Sequence, residues 1–327
     1  MPRHAALVAL LLLGCRPTIA EPPPEQRLVV DRPAETVSFA VIGDFGLDSP
    51  EEAAVATLVH GWSPDVVLTL GDNNYPNGAS STIDANIGKH YASFIAPYRG
   101  DFGPGGDENR FFPTLGNHDW RTWNIAPYLD YFELPGNERY YDFVWGPVHF
   151  FALDSDSSEP DGTEADSTQA TWLRKTLAAS TAAWRVVYMH HPPHSSGDHG
   201  STRRMQWPFA RWGADVIMAG HDHHYERIER DDALYIVNGL GGNPKRYGVG
   251  NPVEGSQVSY NDAHGALRVR ADATTLSIEF VDTEGTVVDR VVRQKPGAEA
   301  PTQKPKQKPD PKPPEAPRAA DFEAYED

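Results

Sequence analysis

Val66-Val67-Leu68-Thr69-Leu70-Gly71-Asp72-Asn73-Asn74-Tyr75 is the stretch on which the fold turns. A short, continuous apolar and β-branched run of this kind reads as a buried strand, and this one ends in a carboxylate with a phenol three residues later. A single Gly-Asp could merely cap the helix that follows. The arrangement recurs, however, at Asp44 after Phe39 to Ile42, at Asn117 after Phe111 to Leu115, at His190 after Trp184 to Met189, and at His221 after Asp215 to Ala219. Strand ends of this sort would gather oxygen and imidazole donors on one rim of a sheet. Without thiolates, that donor set suits iron, zinc or manganese, and its size suits two ions. A pair of ions roughly 3.5–4 Å apart could clamp the attacking and leaving oxygens of a phosphoryl transfer, which fits an anionic ester as substrate.

Outward from that stretch, Glu51 to Val59 reads as a helix after the first strand, and a helix is expected between Ile83 and Ile95 after the second. Tyr140 to Trp145 and Val148 to Leu153, separated by Gly146-Pro147, read as an antiparallel pair. Asp154 to Asp166 is a polar loop and Gln169 to Leu177 an amphipathic helix. After His190-His191-Pro192-Pro193 a flexible loop carrying His194 and His199 is expected, then a helix over Arg203 to Trp212. Leu234 to Val237, Leu267 to Val269, Leu276 to Val281 and Val287 to Val292 are β-rich. This order predicts sheets sandwiched between helix layers, with ligands at the carboxyl ends of strands.

The 327 residues, 39% of them apolar, are enough for a substantial core. A formal charge of −17, from 29 basic and 46 acidic side chains, argues against a nucleic-acid partner. An anionic substrate would then be attracted by a local field, such as bound cations supply. Cys15 is the only cysteine, so neither an internal disulfide nor a thiolate zinc site is available. Ahead of it, Met1-Pro2-Arg3-His4 and the apolar run Ala5 to Leu13 have the form of a secretory leader, with Leu12-Leu13-Gly14-Cys15 resembling a bacterial lipobox. The expected organisation is a lipoprotein-type signal over 1–14, a Pro-rich tether over 15–34, a single folded domain over 35–293 and a disordered Pro/Lys-rich tail with an acidic end over 294–327. The chain would be anchored in the bacterial cell envelope, with a soluble periplasmic or secreted form as the alternative.

Asp44-Phe45-Gly46, Gly71-Asp72-Asn73-Asn74-Tyr75, Gly116-Asn117-His118-Asp119, Val187-Tyr188-Met189-His190 and Gly220-His221-Asp222-His223 together resemble the five ordered blocks of the purple acid phosphatases, specifically the small, tartrate-resistant type. The wider calcineurin-like metallophosphoesterases often have Asp-x-His in the first block; here Gly46 stands there and Tyr75 supplies a ligand instead. The resemblance implies an α/β (α+β) fold, the four-layer αββα metallophosphoesterase sandwich. It implies a ferric ion on Asp44, Asp72, Tyr75 and His223, and a divalent Fe, Zn or Mn on Asp72, Asn117, His190 and His221, bridged by Asp72. It further implies hydrolysis of phosphate monoesters by a metal-activated hydroxide, with an acidic optimum, and His118 and His199 as the residues that orient the phosphate and protonate the leaving oxygen. The substrate would be a phosphorylated small molecule or phosphoprotein and the protein a monomer.

Other readings stay open. A phosphodiesterase, pyrophosphatase or nucleotidase with zinc or manganese fits the same blocks, and so does an inactive surface binding protein on the same fold. His194 and His224 read as supporting or surface residues rather than ligands, and His60, His90, His149 and His264 as structural or surface residues. Trp120, Trp123 and Tyr128 could wall a cleft or simply pack. Gly239-Leu240-Gly241-Gly242 reads equally as a close backbone approach near the metals or as a plain turn, whereas Gly103-Pro104-Gly105-Gly106 lacks the Lys-Ser/Thr of a nucleotide-binding loop.

Overall fold

Strand and helix alternate through the first half of the chain and strands dominate the second in the computed structural model, which describes residues 30–122 and 124–295. In chain order the elements are β1 (Asp31–Arg32), β2 (Thr36–Ile42), α1 (Pro50–Trp62), β3 (Val66–Thr69), α2 (Lys89–Tyr91), β4 (Phe111–Pro113), α3 (Ala126–Tyr131), β5 (Tyr141–Trp145) and β6 (Val148–Ala152). There follow α4 (Thr168–Ala179), β7 (Trp184–Met189), α5 (Phe209–Trp212), β8 (Val216–Ala219), β9 (Tyr225–Arg230), β10 (Ala233–Asn238), β11 (Ser256–Tyr260), β12 (Gly265–Asp272), β13 (Thr275–Asp282) and β14 (Val287–Gln294).

Two mixed sheets result. One runs β1-β5-β6-β7-β8-β10-β9-β11 and the other β14-β13-β12-β2-β3-β4. The strands that carry the candidate ligands are parallel, β2 to β3 to β4 in one sheet and β7 to β8 in the other, so their carboxyl ends fall on common rims. Alternation along each strand divides the apolar residues between two cores. Phe39 meets Phe150 edge-on at 5.0 Å and Phe112 stacks on Phe143 at 3.8 Å, closing the sheets on each other. The outward residues Phe151, Val187, Met189, Ile217 and Ala219 bury against Ala170, Leu173 and Leu177 of α4 and Phe209 of α5. On the opposite side α1 lays Val55, Ala56 and Val59 into the main core. These layers make the expected αββα sandwich.

Local chemistry fixes the helix ends. Ser49 accepts from the Glu52 amide at 3.0 Å and Pro50 opens α1, while Ser167 accepts from Ala170 N at 3.1 Å at the head of α4.

Several expectations need correction. The helix expected over Arg203 to Trp212 is two single turns, Arg203–Met205 and α5, because Pro208 cannot continue a helix through its missing N–H. The segment around His194, expected to be flexible, is buried from His191 to Ser196. Residues 83–94 are helical but irregular, a π-type turn over Asp84–Gly88 leading into α2 and a 3-10 turn over Ala92–Phe94. Pairing begins at Asp31, ahead of the expected start at 35, and β14 includes Gln294, with the Lys295 ammonium 2.6 Å from Asp215. The leader, Cys15, most of the tether, Trp123 and the tail beyond Lys295 lie outside the described residues.

Candidate metal centre

Asp44 leaves β2, Asp72 leaves β3 and Asn117 leaves β4, all in the six-stranded sheet; His190 leaves β7 and His221 leaves β8 of the facing sheet, with His223 between β8 and β9. The chain turns sharply at these points. Asp44, Asp72 and His221 adopt left-handed backbone, with φ of 56°, 51° and 70°, a conformation that non-glycine residues hold only when their surroundings enforce it. Close approach is needed as well: a Cβ on Gly239 would lie 2.3 Å from the Asp222 carbonyl oxygen and 2.9 Å from Asp44 Oδ2, so of the two readings of the Gly239 to Gly242 run the close approach holds.

The seven expected ligands converge in two groups. Tyr75 Oη lies 2.9 Å from Asp72 Oδ2, 3.3 Å from Asp44 Oδ1 and 3.4 Å from His223 Nε2, and the latter two atoms are 3.3 Å apart. His190 Nε2 lies 3.0 Å from Asn117 Oδ1, 3.5 Å from Asp72 Oδ1 and 3.1 Å from His221 Nδ1. Asp72 therefore turns one oxygen to each group. Ligand–metal distances of about 2.0–2.2 Å put neighbouring donors roughly 3 Å apart, as found here.

The hydrogen-bond partners of the imidazoles suit donor sets for a cation. His190 Nδ1 donates to the Leu70 carbonyl at 2.7 Å and His223 Nδ1 to the Lys245 carbonyl at 2.5 Å, which leaves both Nε2 atoms as lone pairs. These lone pairs face the Asn117 and Asp44 oxygens, so acceptor meets acceptor. A positive ion is what such an arrangement accommodates, and the residues present fit one in each group.

Charge balance agrees. A proton can stand in for the ion on those lone pairs, since burial lowers the pKa of His190 and His223 but the carboxylates around them raise both above their ordinary value. Burial pushes the Asp44 carboxyl up, but the charge on protonated His190, the His223 hydrogen bond and the His221 N–H at 2.8 Å more than offset it, so Asp44 is held below the usual carboxylate range. Burial and then the neighbouring histidines drive His221 well down, keeping it neutral as a ligand must be. Burial, with the Asp72 and Asp44 charges, pushes the Tyr75 phenol far above 10; a multiply charged cation reverses that balance.

His118 and His199 flank the two groups. The His118 ring lies 4.3 Å from Tyr75, its backbone N–H donates to Asp72 Oδ1 at 2.8 Å and its Nδ1 to the Pro76 carbonyl at 2.7 Å. His199 is exposed and stacks on His221 at 4.3 Å.

His194 and His224 are buried, not on the surface: His194 packs edge-on to Tyr235 and His224 lies 3.3 Å from Glu226. His60, His90, His149 and His264 hold carbonyl, hydroxyl or carboxylate partners away from the ligands. Trp120 donates to Asp154 and buried Tyr128 to the Pro113 carbonyl, so both pack.

Two neighbours escaped the sequence reading. His191 reaches the His190 and His221 nitrogens closely enough to share an ion with them, and only the His190-His191 doublet hints at it. Tyr247 stacks on His223 at 4.3 Å and meets His199 edge-on at 4.9 Å; no local pattern marks it.

A sequence model of the calcineurin-like phosphoesterases matches residues 37–225. Among curated proteins, purple acid phosphatase 17 of Arabidopsis thaliana is 26% identical over 302 residues, covering 80% of this chain and 85% of its own. Tartrate-resistant acid phosphatase type 5 of Rattus norvegicus is 26% identical, covering 64% and 73%. Among solved structures, a purple acid phosphatase from yellow lupin seeds aligns with a TM-score of 0.63 at 17% identity, over 84% of this chain and 55% of that one. An inner-membrane-complex anchor protein of Plasmodium aligns with a TM-score of 0.61 at 17% identity, over 80% and 89%; at such identities the likeness is one of fold.

Proposed function

This chain belongs to the calcineurin-like phosphoesterase family, and from that premise we propose that it is an acid phosphatase hydrolysing phosphate monoesters at a dinuclear centre of Fe(III) with Fe(II), Zn or Mn. The observation that carries the reading is the convergence of Tyr75 with Asp44, Asp72 and His223 beside a second group that shares Asp72. A phenolate is a hard anionic ligand suited to ferric iron. Bound there, the two ions would supply positive charge to the phosphoryl oxygens and acidify water.

The rest falls to the side chains. His118 Nε2, 4.0 Å from Asp72 Oδ2, and His199 across the rim orient the phosphate, and one of them gives a proton to the leaving oxygen. Burial holds His118 below its ordinary range despite Asp72, and nearby cations would lower it further. It is therefore charged, and able to donate, only in acid, so activity falls as pH rises through that lowered pKa.

The test is metal analysis with a visible spectrum of purified protein. A broad visible band is expected, with one iron per chain if the second ion is Zn or Mn and two if it is Fe(II); an iron-free, colourless but active enzyme overturns the metal assignment. Negligible hydrolysis of a phosphomonoester panel by fully metallated protein would favour the binding-protein reading. We also propose export with lipidation at Cys15, checked by mass spectrometry of the membrane fraction: a full-length chain with unmodified Cys15 contradicts it.

A further inference from the structure

Side chains alternate along His221 to Glu226. His221 and His223 turn to the metal centre, whereas Asp222 and Glu226, both buried, turn to the loop that carries His199. Asp222 Oδ1 accepts from the His199 backbone N–H at 2.8 Å and Oδ2 from Ser195 Oγ at 2.5 Å. Ser195 Oγ in turn accepts from Gly197 N at 3.0 Å. Glu226 accepts from Ser196 N at 2.8 Å, Ser196 Oγ at 2.6 Å and Ser256 Oγ at 2.6 Å, and Ser196 Oγ accepts from Val253 N at 2.8 Å. A Cβ on Gly197 would lie 2.4 Å from Asp222 Cγ, so the loop rests directly on that carboxylate.

We propose that Asp222 and Glu226 are positioning residues for His199, so that the segment supplying two metal ligands also fixes the proton donor to the leaving group. The inference rests on the acid role given to His199. Four bonds from two carboxylates hold the backbone and hydroxyls of Ser195, Ser196 and His199, and this sets where an otherwise exposed imidazole stands over His221. Proton delivery requires hydrogen-bond reach in the reacting complex, and a displacement of about 1 Å can lower a rate about 10²-fold.

The experiment compares phosphate monoesters whose leaving groups differ in basicity. Phenoxide needs the proton; 2,4-dinitrophenoxide leaves without it. Glu226→Gln keeps the volume but brings an NH2 against donors. It should retain both metals and the visible band, lower kcat on phenyl phosphate about ten-fold or more, and leave kcat on dinitrophenyl phosphate within about two-fold. In a His199→Ala background the same substitution should add nothing to the leaving-group dependence. Ser196→Ala, which deletes one hydroxyl, should shift kcat in the same direction and serves if Glu226→Gln fails to fold. Equal losses on both substrates, or a further selective loss in the double variant, would overturn the proposal. If His199→Ala alone shows no leaving-group dependence, the acid role falls and the proposal with it, a pattern distinct from failure at Glu226 alone.

Discussion

Asp72, Tyr75 and His118 are mutual neighbours, with Tyr75 Oη 2.9 Å and His118 Nε2 4.0 Å from Asp72 Oδ2, yet answer three separate questions, because each contributes a different atom. Asp72 gives an oxygen to each donor group, so Asp72→Asn should empty both positions, read as metal per chain by elemental analysis. Tyr75→Phe removes only the phenolate; two ions should remain and the visible band vanish, and retained colour would show another chromophore. His118→Ala touches no lone pair of either group and should keep metals and colour while kcat falls about 10²-fold; lost iron would contradict it. Asp72 was legible in the sequence because it ends an apolar run, whereas the roles of Tyr75 and His118 were implied only by the family resemblance. The supports were not legible, since Asp222 and Tyr247 acquire their partners Ser195 and His223 only through tertiary packing.

Strand β9, Tyr225-Glu226-Arg227-Ile228-Glu229-Arg230, shows where the sequence reading stops. Its charges conceal a strand lodged between β10 and β11. The apolar runs of β2, β3, β7 and β8 declared themselves, but a polar strand is recognised only by the partners its charges find. Here Tyr225 Oη and Arg227 Nε each donate at 2.7 Å to Asp289 Oδ2 on β14, tying one sheet to the other. Asp289→Asn should destabilise the fold by about 2 kcal/mol, measured by urea unfolding. Burial raises the Asp289 pKa, but Arg227 and Tyr225 more than offset it and the folded value lies below the ordinary 3.8. Its contribution is therefore complete above that ordinary value and lost as pH falls through the lower one. A wild-type minus Asp289→Asn difference that did not shrink in that acid range would refute the pairing.

For the molecule as a whole, the candidate centre is where the sheets meet: Asp44, Asp72 and Asn117 come from one, His190 and His221 from the other. Ions bound there would join the layers. At a thousand times Kd, one ion stabilises by about 4 kcal/mol, so chelation should lower Tm by about 10 °C, measured by calorimetry; an unchanged Tm would show that the ions bind without bracing the sheets. The two-sheet origin of the ligands thus bears on lifetime. A chain left without its ions would be a garment with an open seam, exposed first along the rim that carries its candidate catalytic groups, and proteolysis of such chains would make the protein's abundance track metal supply.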